Sequence, residues 1–226
     1  MKYYILENAV SRKQVGFMIQ TDGFIEDYDI DGPNSRIHLT YDEFPNFVPD
    51  LRFELHPKSK LTDVVQASNI SAKGFLINEK VKSIFEQCLL PEHRYYEATI
   101  LNHDGEILPF YWLHIISNDY NIIDFNESEF RMTDDPLKGE NTKNFELIKI
   151  LNEEDFCNKN HLLFNDNKFV VADILKLHDT KRYDMLYFSN IDVCSVFISE
   201  KLANMLKKAK VTGIDITEYP DLQNLE

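Results

Sequence analysis

Asp104-Gly105 stands between two runs, YYEATILN and EILPFYWLHII, whose aromatic and β-branched content suits paired strands. Asp-Gly is a favoured type I′ hairpin pair, because both loop residues need positive φ. Read as a two-residue loop, it sets His103 opposite Glu106 and makes paired positions sum to 209. One face then carries Tyr96, Ala98, Ile100, Tyr111 and Leu113, and the other Tyr95, Glu97, Thr99, Phe110, Trp112 and His114. The second strand is apolar on both faces, which demands cover on both and places it centrally in a sheet. Pro109 has no N–H for a ladder, so it is expected at a bulge or an unpaired point. The rest of the chain must therefore supply neighbouring strands and two covering layers.

The stretch before the hairpin supplies strands. KYYILEN opens as one, and TDG, DGPNS, FPNFVPD and HPKSK then interrupt at short intervals. Pro33, Pro45, Pro49 and Pro57, four of eight prolines, exclude long helices there. Residues 1–66 are expected to form a β-rich N-terminal module, either separate from or continuous with an α+β core domain over 67–226. In FLINEKVKSIFEQC, Asn78 caps a helix, Glu79 sits in its first turn, and Val81, Ile84, Phe85 and Cys88 form one apolar stripe. SVFISEKLANMLKKAKVTG repeats the theme with Ser199 as cap and Leu202, Met205, Leu206 and Ala209 as stripe. Lys207, Lys208 and Lys210 suit the negative helix end, and Gly213 closes the element. The two helices superpose at an offset of 121, with Ile77-x-Glu79-Lys80 on Ile198-x-Glu200-Lys201. General helix grammar accounts for most of this coincidence, and internal duplication is the lesser reading. NIIDFNESEF reads as a strand entering an acidic turn, and DDPLKGENTKN as a loop. FELIKI, HLLFNDNKFVVADILKLHD and YDMLYF are strands or short helices that period alone does not separate.

Charge and motif content narrow the function. Lys+Arg number 24 against 38 Asp+Glu, a net charge of −14, which disfavours nucleic acid or an anionic membrane as partner and suits a basic protein. Cys88, Cys157 and Cys194 form no CxxC and imply neither a disulfide framework nor a zinc ribbon. MKYYILENAVSRKQ lacks the apolar core of a signal peptide, and no run long enough to cross a bilayer follows, so a cytoplasmic protein is expected. With 7 glycines and no Walker A, G-x-G-x-x-G, G-x-S-x-G or H-E-x-x-H pattern, phosphate loops and common hydrolase sites are absent. His93 and His114 approach across the hairpin without a third ligand, so no metal or other cofactor is expected. The best enzyme candidate is Asp166 with Asp179-x-Lys181, a loose match to a magnesium nuclease set that chance supplies easily in so charged a chain.

Acid clusters remain. DYDIDG places Asp27, Asp29, Asp31 and Gly32 as an EF-hand loop would, but its closing carboxylate position holds His38, a poor calcium ligand. As a strand, the alternation presents the three aspartates together, with Tyr28 and Ile30 opposite. A second cluster, residues 119–135, holds six acids and one arginine. Each is either a solvated face or a landing site for a basic partner.

Three stretches together resemble the immunity proteins of bacterial polymorphic toxin systems, specifically immunity family eleven. They are GFLINEKVKSIFEQ, then YYEATI with YWLHIISNDYNIIDFNESEF, and VFISEKLANMLKKAKVTGIDI. The middle block is similar to the family's hairpin followed by an Asp-apolar-x-x-Ser-Glu signature, here Asp124 to Glu129, with Phe125 where the family has a small aliphatic residue. The resemblance spans roughly residues 68–217. It implies an α+β, non-catalytic protein that binds a toxin encoded beside it. The fold expected is α+β, a mixed, mainly antiparallel sheet with two or three packed helices after the β-rich N-terminal module. The function expected is neutralisation of a cognate toxin by non-covalent occlusion, with a magnesium-dependent hydrolase or a scaffold module as alternatives. Partner contacts are expected from Asp27, Tyr28, Asp29 and Asp31, then Glu127, Glu129, Asp134 and Asp135.

Overall fold

The computed structural model describes residues 2–21, 25, 27–117, 120–134, 145–178, 183–189, 191 and 195–224. In chain order the elements begin with β1 (Tyr3–Asn8), α1 (Arg12–Val15), β2 (Arg52–Glu54), β3 (Val64–Val65), β4 (Gly74–Ile77) and α2 (Glu79–Phe85). The hairpin strands β5 (His93–Leu101) and β6 (Ile107–Ile115) follow, then β7 (Glu129–Thr133), β8 (Phe145–Ile148), α3 (Glu153–Phe164) and β9 (Phe169–Leu177). The chain closes with β10 (Met185–Tyr187), β11 (Val196–Ser199), α4 (Glu200–Lys208), β12 (Ile214–Glu218) and β13 (Leu222–Asn224). They form three sheets, ordered β10-β11-β1-β12, β13-β9-β7-β8 and β2-β5-β6-β4-β3. Only the β13–β9 and β2–β5 pairings among them are parallel. The fold is thus α+β, mixed and mainly antiparallel.

The sheets are stacked through three apolar clusters. Leu6, Val196 and Ile198 of the first sheet meet Phe75, Ile77, Leu113 and Ile115 of the third around α2 and α4. On its other face the first sheet sets Tyr3, Leu186 and Phe197 against Phe130, Val170 and Ala172 of the second sheet and Phe156 of α3. The far face of the third sheet gathers Phe53, Leu76, Ala98, Ile100, Phe110 and Trp112, packed with Leu39, Leu51 and Leu55 of the N-terminal segment. Strand β6 lies at the centre of its sheet, as an apolar strand covered on both faces should. Strand β4 ends at the Ile77–Tyr111 pair, so Pro109 lies past the end of that neighbour.

The hairpin register differs from the expected one by a residue. His93 pairs with Ile115 and Leu101 with Ile107, so paired positions sum to 208. The loop holds three residues: Gly105 N–H donates to Asn102 O at 3.0 Å, and Asn102 N–H to Glu106 O at 2.8 Å. Gly105 alone takes the left-handed conformation, at φ 85, which is the bulged three-residue alternative to type I′. The slip re-partners both faces. Tyr95 now sides with Tyr111 and Leu113 toward the helices, and Tyr96 with Trp112 toward the N-terminal cover.

Other expectations are corrected locally. NIIDF is no strand: Tyr120–Ile122 is a 3-10 turn, Ile123 makes one bridge to Leu177, and β7 starts at Glu129. Gly213 does not end α4, which stops at Lys208 with Lys210 at φ 51. Gly213 instead lets the following chain pass β3, since a Cβ there would stand 1.9 Å from Val64 O. Both helix caps are where the sequence puts them, with Asn78 accepting from Val81 N–H and Ser199 from Leu202 N–H. The helices belong to matching β-β-α units, in which Val64 pairs with Ile77 and Met185 with Ile198, each residue 121 from its counterpart.

Candidate functional site

The DYDIDG stretch forms turns rather than a strand. Asp27 sits at φ 71, which breaks the alternation, and the Asp29 carboxylate accepts the Asp31 N–H at 3.2 Å. Short Asp side chains that bond the backbone two residues on favour such turns over extended chain. Asp27, Asp29 and Asp31 are all exposed, but Tyr28 is half-buried and turned into the protein. Its hydroxyl accepts from Arg36 N–H at 3.0 Å and donates to Asp50 O at 3.3 Å. The fully buried Arg36 guanidinium lies 4.4 Å from the Tyr28 ring and 4.7 Å from the Phe53 ring, and donates to Arg52 O at 2.8 Å. Arg52 in turn grips Asp50 through Nε and Nη2. Those bonds hold the Asp50 carboxyl below the ordinary aspartate range, whereas burial lowers Arg36. The aspartate turn is therefore pinned from beneath by two arginines and an aromatic ring. His38, at the would-be calcium-closing position, hydrogen-bonds Gly32 O at 3.1 Å.

The second acidic cluster is built on the Asp124–Glu129 turn. Asp124 Oδ1 accepts from Asn126 N–H at 2.9 Å and Glu127 N–H at 3.1 Å. Ser128 Oγ donates to Asp124 O at 2.6 Å and accepts Lys176 N–H at 2.9 Å, tying the turn to β9. The Asp and Ser of the signature are thus spent on shaping and anchoring the turn, while Glu127 and Glu129 stay exposed on it. Asp134 is exposed just past β7, and Asp135 lies outside the described residues. The two clusters sit on different sheets: Asp27–Asp31 beside β2, and Glu127, Glu129 and Asp134 around β7.

Beside the second turn is a cavity of about 450 Å³, lined among others by Asp124, Phe125, Asn126, Glu153, Glu154 and His178. His178 Nδ1 stands 3.6 Å from Asp124 Oδ2. Glu153 and Glu154 open α3, where the helix dipole favours acids. They escape sequence reading because α3 shows a weak stripe, with only Phe156 buried.

The chemistry-bearing residues weighed in the sequence are dispersed. His93 and His114 fall on opposite faces of the hairpin, since His93 pairs with Ile115 and His114 with Arg94. His114 is buried, bonds Thr40 O at 2.8 Å, and has its pKa lowered by burial. Asp166 closes the turn after α3, donating its N–H to Leu163 O, while Asp179 and Lys181 lie outside the described residues. Cys88 is half-buried, Cys157 exposed, and Cys194 outside the described residues. Among the described residues no group of three or more His, Cys, Asp or Glu could hold a metal ion, and no helix is long and apolar enough to cross a membrane.

The model of the Immunity protein family (Imm11) matches residues 2–221. No curated protein matches the chain.

Proposed function

We propose a mode of action from one premise: the chain belongs to the Immunity protein family (Imm11). It is an immunity protein, and protection works by occupation. The protein binds a cognate toxin of a polymorphic toxin system in the cytoplasm of the producing cell and covers the toxin's active site, with no bond made or broken. It is neither an enzyme nor a cofactor protein in this reading, and its partner is a protein, not nucleic acid or membrane. The family match over nearly the whole chain carries the reading. A net charge of −14 supports a basic partner surface, because opposite potentials speed encounter and fix orientation.

First contacts belong to Asp27, Asp29 and Asp31, exposed on a turn that Tyr28 anchors from within. Pre-organised turns lose little entropy on binding. Glu127, Glu129, Asp134 and Asp135 form the second set of contacts. The test is charge reversal at Asp27, Asp29 and Asp31, read as growth protection in cells expressing the toxin domain encoded beside this chain and as affinity in vitro. The triple variant should bind at least about tenfold more weakly, most visibly in on-rate and at low salt, with a melting temperature lowered by no more than about 4 °C through loss of the Asp29 turn bond. Unchanged affinity would remove these residues from the interface. Failure of the wild-type protein to protect against that toxin would overturn the proposed neutralising role.

A further inference from the structure

The offset of 121 that superposes the two helices reaches residues outside them. Asp63 and Asp184 are also 121 apart, each directly before the first strand of its β-β-α unit. Within the first unit, Asn78 Nδ2 donates to Asp63 Oδ1 at 2.8 Å and Lys80 Nζ to Asp63 Oδ2 at 2.7 Å. Within the second, Ser199 Oγ donates to Asp184 Oδ1 at 2.8 Å and Lys201 Nζ to Asp184 Oδ2 at 2.8 Å. The main chain matches too, with Asn78 N–H on Asp63 O at 3.0 Å and Ser199 N–H on Asp184 O at 2.9 Å. Helix grammar requires a cap and an early acid. It does not require a distant aspartate to hold both the cap and a lysine two residues on.

The remaining bonds of each aspartate cross between units. Asp63 Oδ2 accepts Thr212 N–H at 2.8 Å and Thr212 Oγ–H at 2.9 Å, from the exit of α4. Asp184 Oδ2 accepts Leu89 N–H at 3.0 Å, from the exit of α2. The backbone exchange is reciprocal as well: Val64 N–H donates to Thr212 O at 3.1 Å, and Asp184 N–H to Leu89 O at 2.8 Å. The helices touch where Cys88 Sγ lies 4.0 Å from Met205 Sδ. Met185, the counterpart of Val64, also donates its N–H to Leu89 O, at 3.3 Å. Leu89 and Thr212 are 123 apart, two residues off the offset, so the crossing contacts approach the isologous exchange of a two-fold dimer without matching it residue for residue.

We propose that the two β-β-α units are copies of one ancestral unit, and that Asp63 and Asp184 form a reciprocal latch. Each carboxylate holds the start of its own helix and the exit of the other, so neither helix opens alone. Both are positioning residues for the helix layer between the first and third sheets. Native-state hydrogen exchange on the full chain reads the coupling directly. Asp63→Asn and Asp184→Asn should each speed amide exchange about tenfold or more in both α2 and α4, since several charge-assisted bonds are weakened at once. Asn78→Ala and Ser199→Ala leave the crossing bonds in place and should speed exchange in their own helix only. If Asp63→Asn acted on α2 alone and Asp184→Asn on α4 alone, each aspartate would be a local cap and the latch would be overturned. Should the aspartate variants not fold, Thr212→Val removes only the hydroxyl bonds to Asp63. Exchange at the start of α2 should then rise several-fold, and an unchanged rate there would overturn the latch.

Discussion

Asp50, Asp63 and Asp184 are carboxylates held below the ordinary aspartate range by neighbours rather than by exposure. The Arg52 hydrogen bonds do this for Asp50. Burial pushes Asp63 and Asp184 up, but Lys80, Thr212 and Asn78 outweigh it for the first, and Lys201, Leu89 N–H and Ser199 for the second. A depressed folded-state pKa stabilises above the unfolded value near ~3.9 and is lost as pH falls through the folded one. Urea unfolding between pH 7 and pH 3 should therefore show stability falling below roughly pH 4. Asp50→Asn, Asp63→Asn and Asp184→Asn should each be less stable at pH 7 and show a shallower fall. Equal slopes in all variants would remove these residues from the acid response. At this scale the sequence was only partly legible. Asp27, Asp29 and Asp31 alternate as a strand would, yet the Asp29 bond to Asp31 N–H and the pull of Arg36 on Tyr28 are contacts that no periodicity encodes. Asp63 had a readable signal, because the offset that aligns the helix starts aligns it with Asp184 as well.

Among the elements, local grammar predicted what local forces decide. The caps at Asn78 and Ser199 and both apolar stripes follow from bonds and spacings inside one turn. The hairpin was legible in kind but not in register, because Asp-Gly serves a two-residue loop and a three-residue loop alike, and Asn102 and Glu106 select the longer. Strand β9 and helix α3 were not separable by period, since α3 owes its place to Phe156 against Phe130, 26 residues away, and to Asn160 bonding Val170 of the next strand, contacts between elements rather than within one. Two glycines with the same φ of 85 separate backbone strain from crowding. At Gly105 an added Cβ meets nothing within 4 Å, so Gly105→Ala should cost about 1–2 kcal/mol of left-handed strain alone. At Gly213 the same atom would strike Val64 O, so Gly213→Ala should cost about 3 kcal/mol or more. Denaturant melts of the two variants give the difference, and equal losses would contradict the crowding at Gly213.

Across the whole molecule, residues 1–66 contribute β1 to the first sheet and β2 and β3 to the third. Ala9 N–H bonds Gly213 O, and Gln14 Oε1 accepts Gly213 N–H. We propose that 1–66 and 67–226 fold as one unit despite their different texture. Expressed separately, neither piece should give a cooperative melt, whereas mixing or co-expressing them should restore one. An independent transition in the 67–226 piece would show a true boundary there. The position of β1, hydrogen-bonded on one side to β11 and on the other to β12, also orders events in time. Its partners leave the ribosome some 190 residues after it, a delay of about 10–40 s at ordinary synthesis rates. Until then Tyr3 and Leu6 have no sheet to enter. Under the neutralising role proposed above, protection would come from molecules already finished rather than from those still being made.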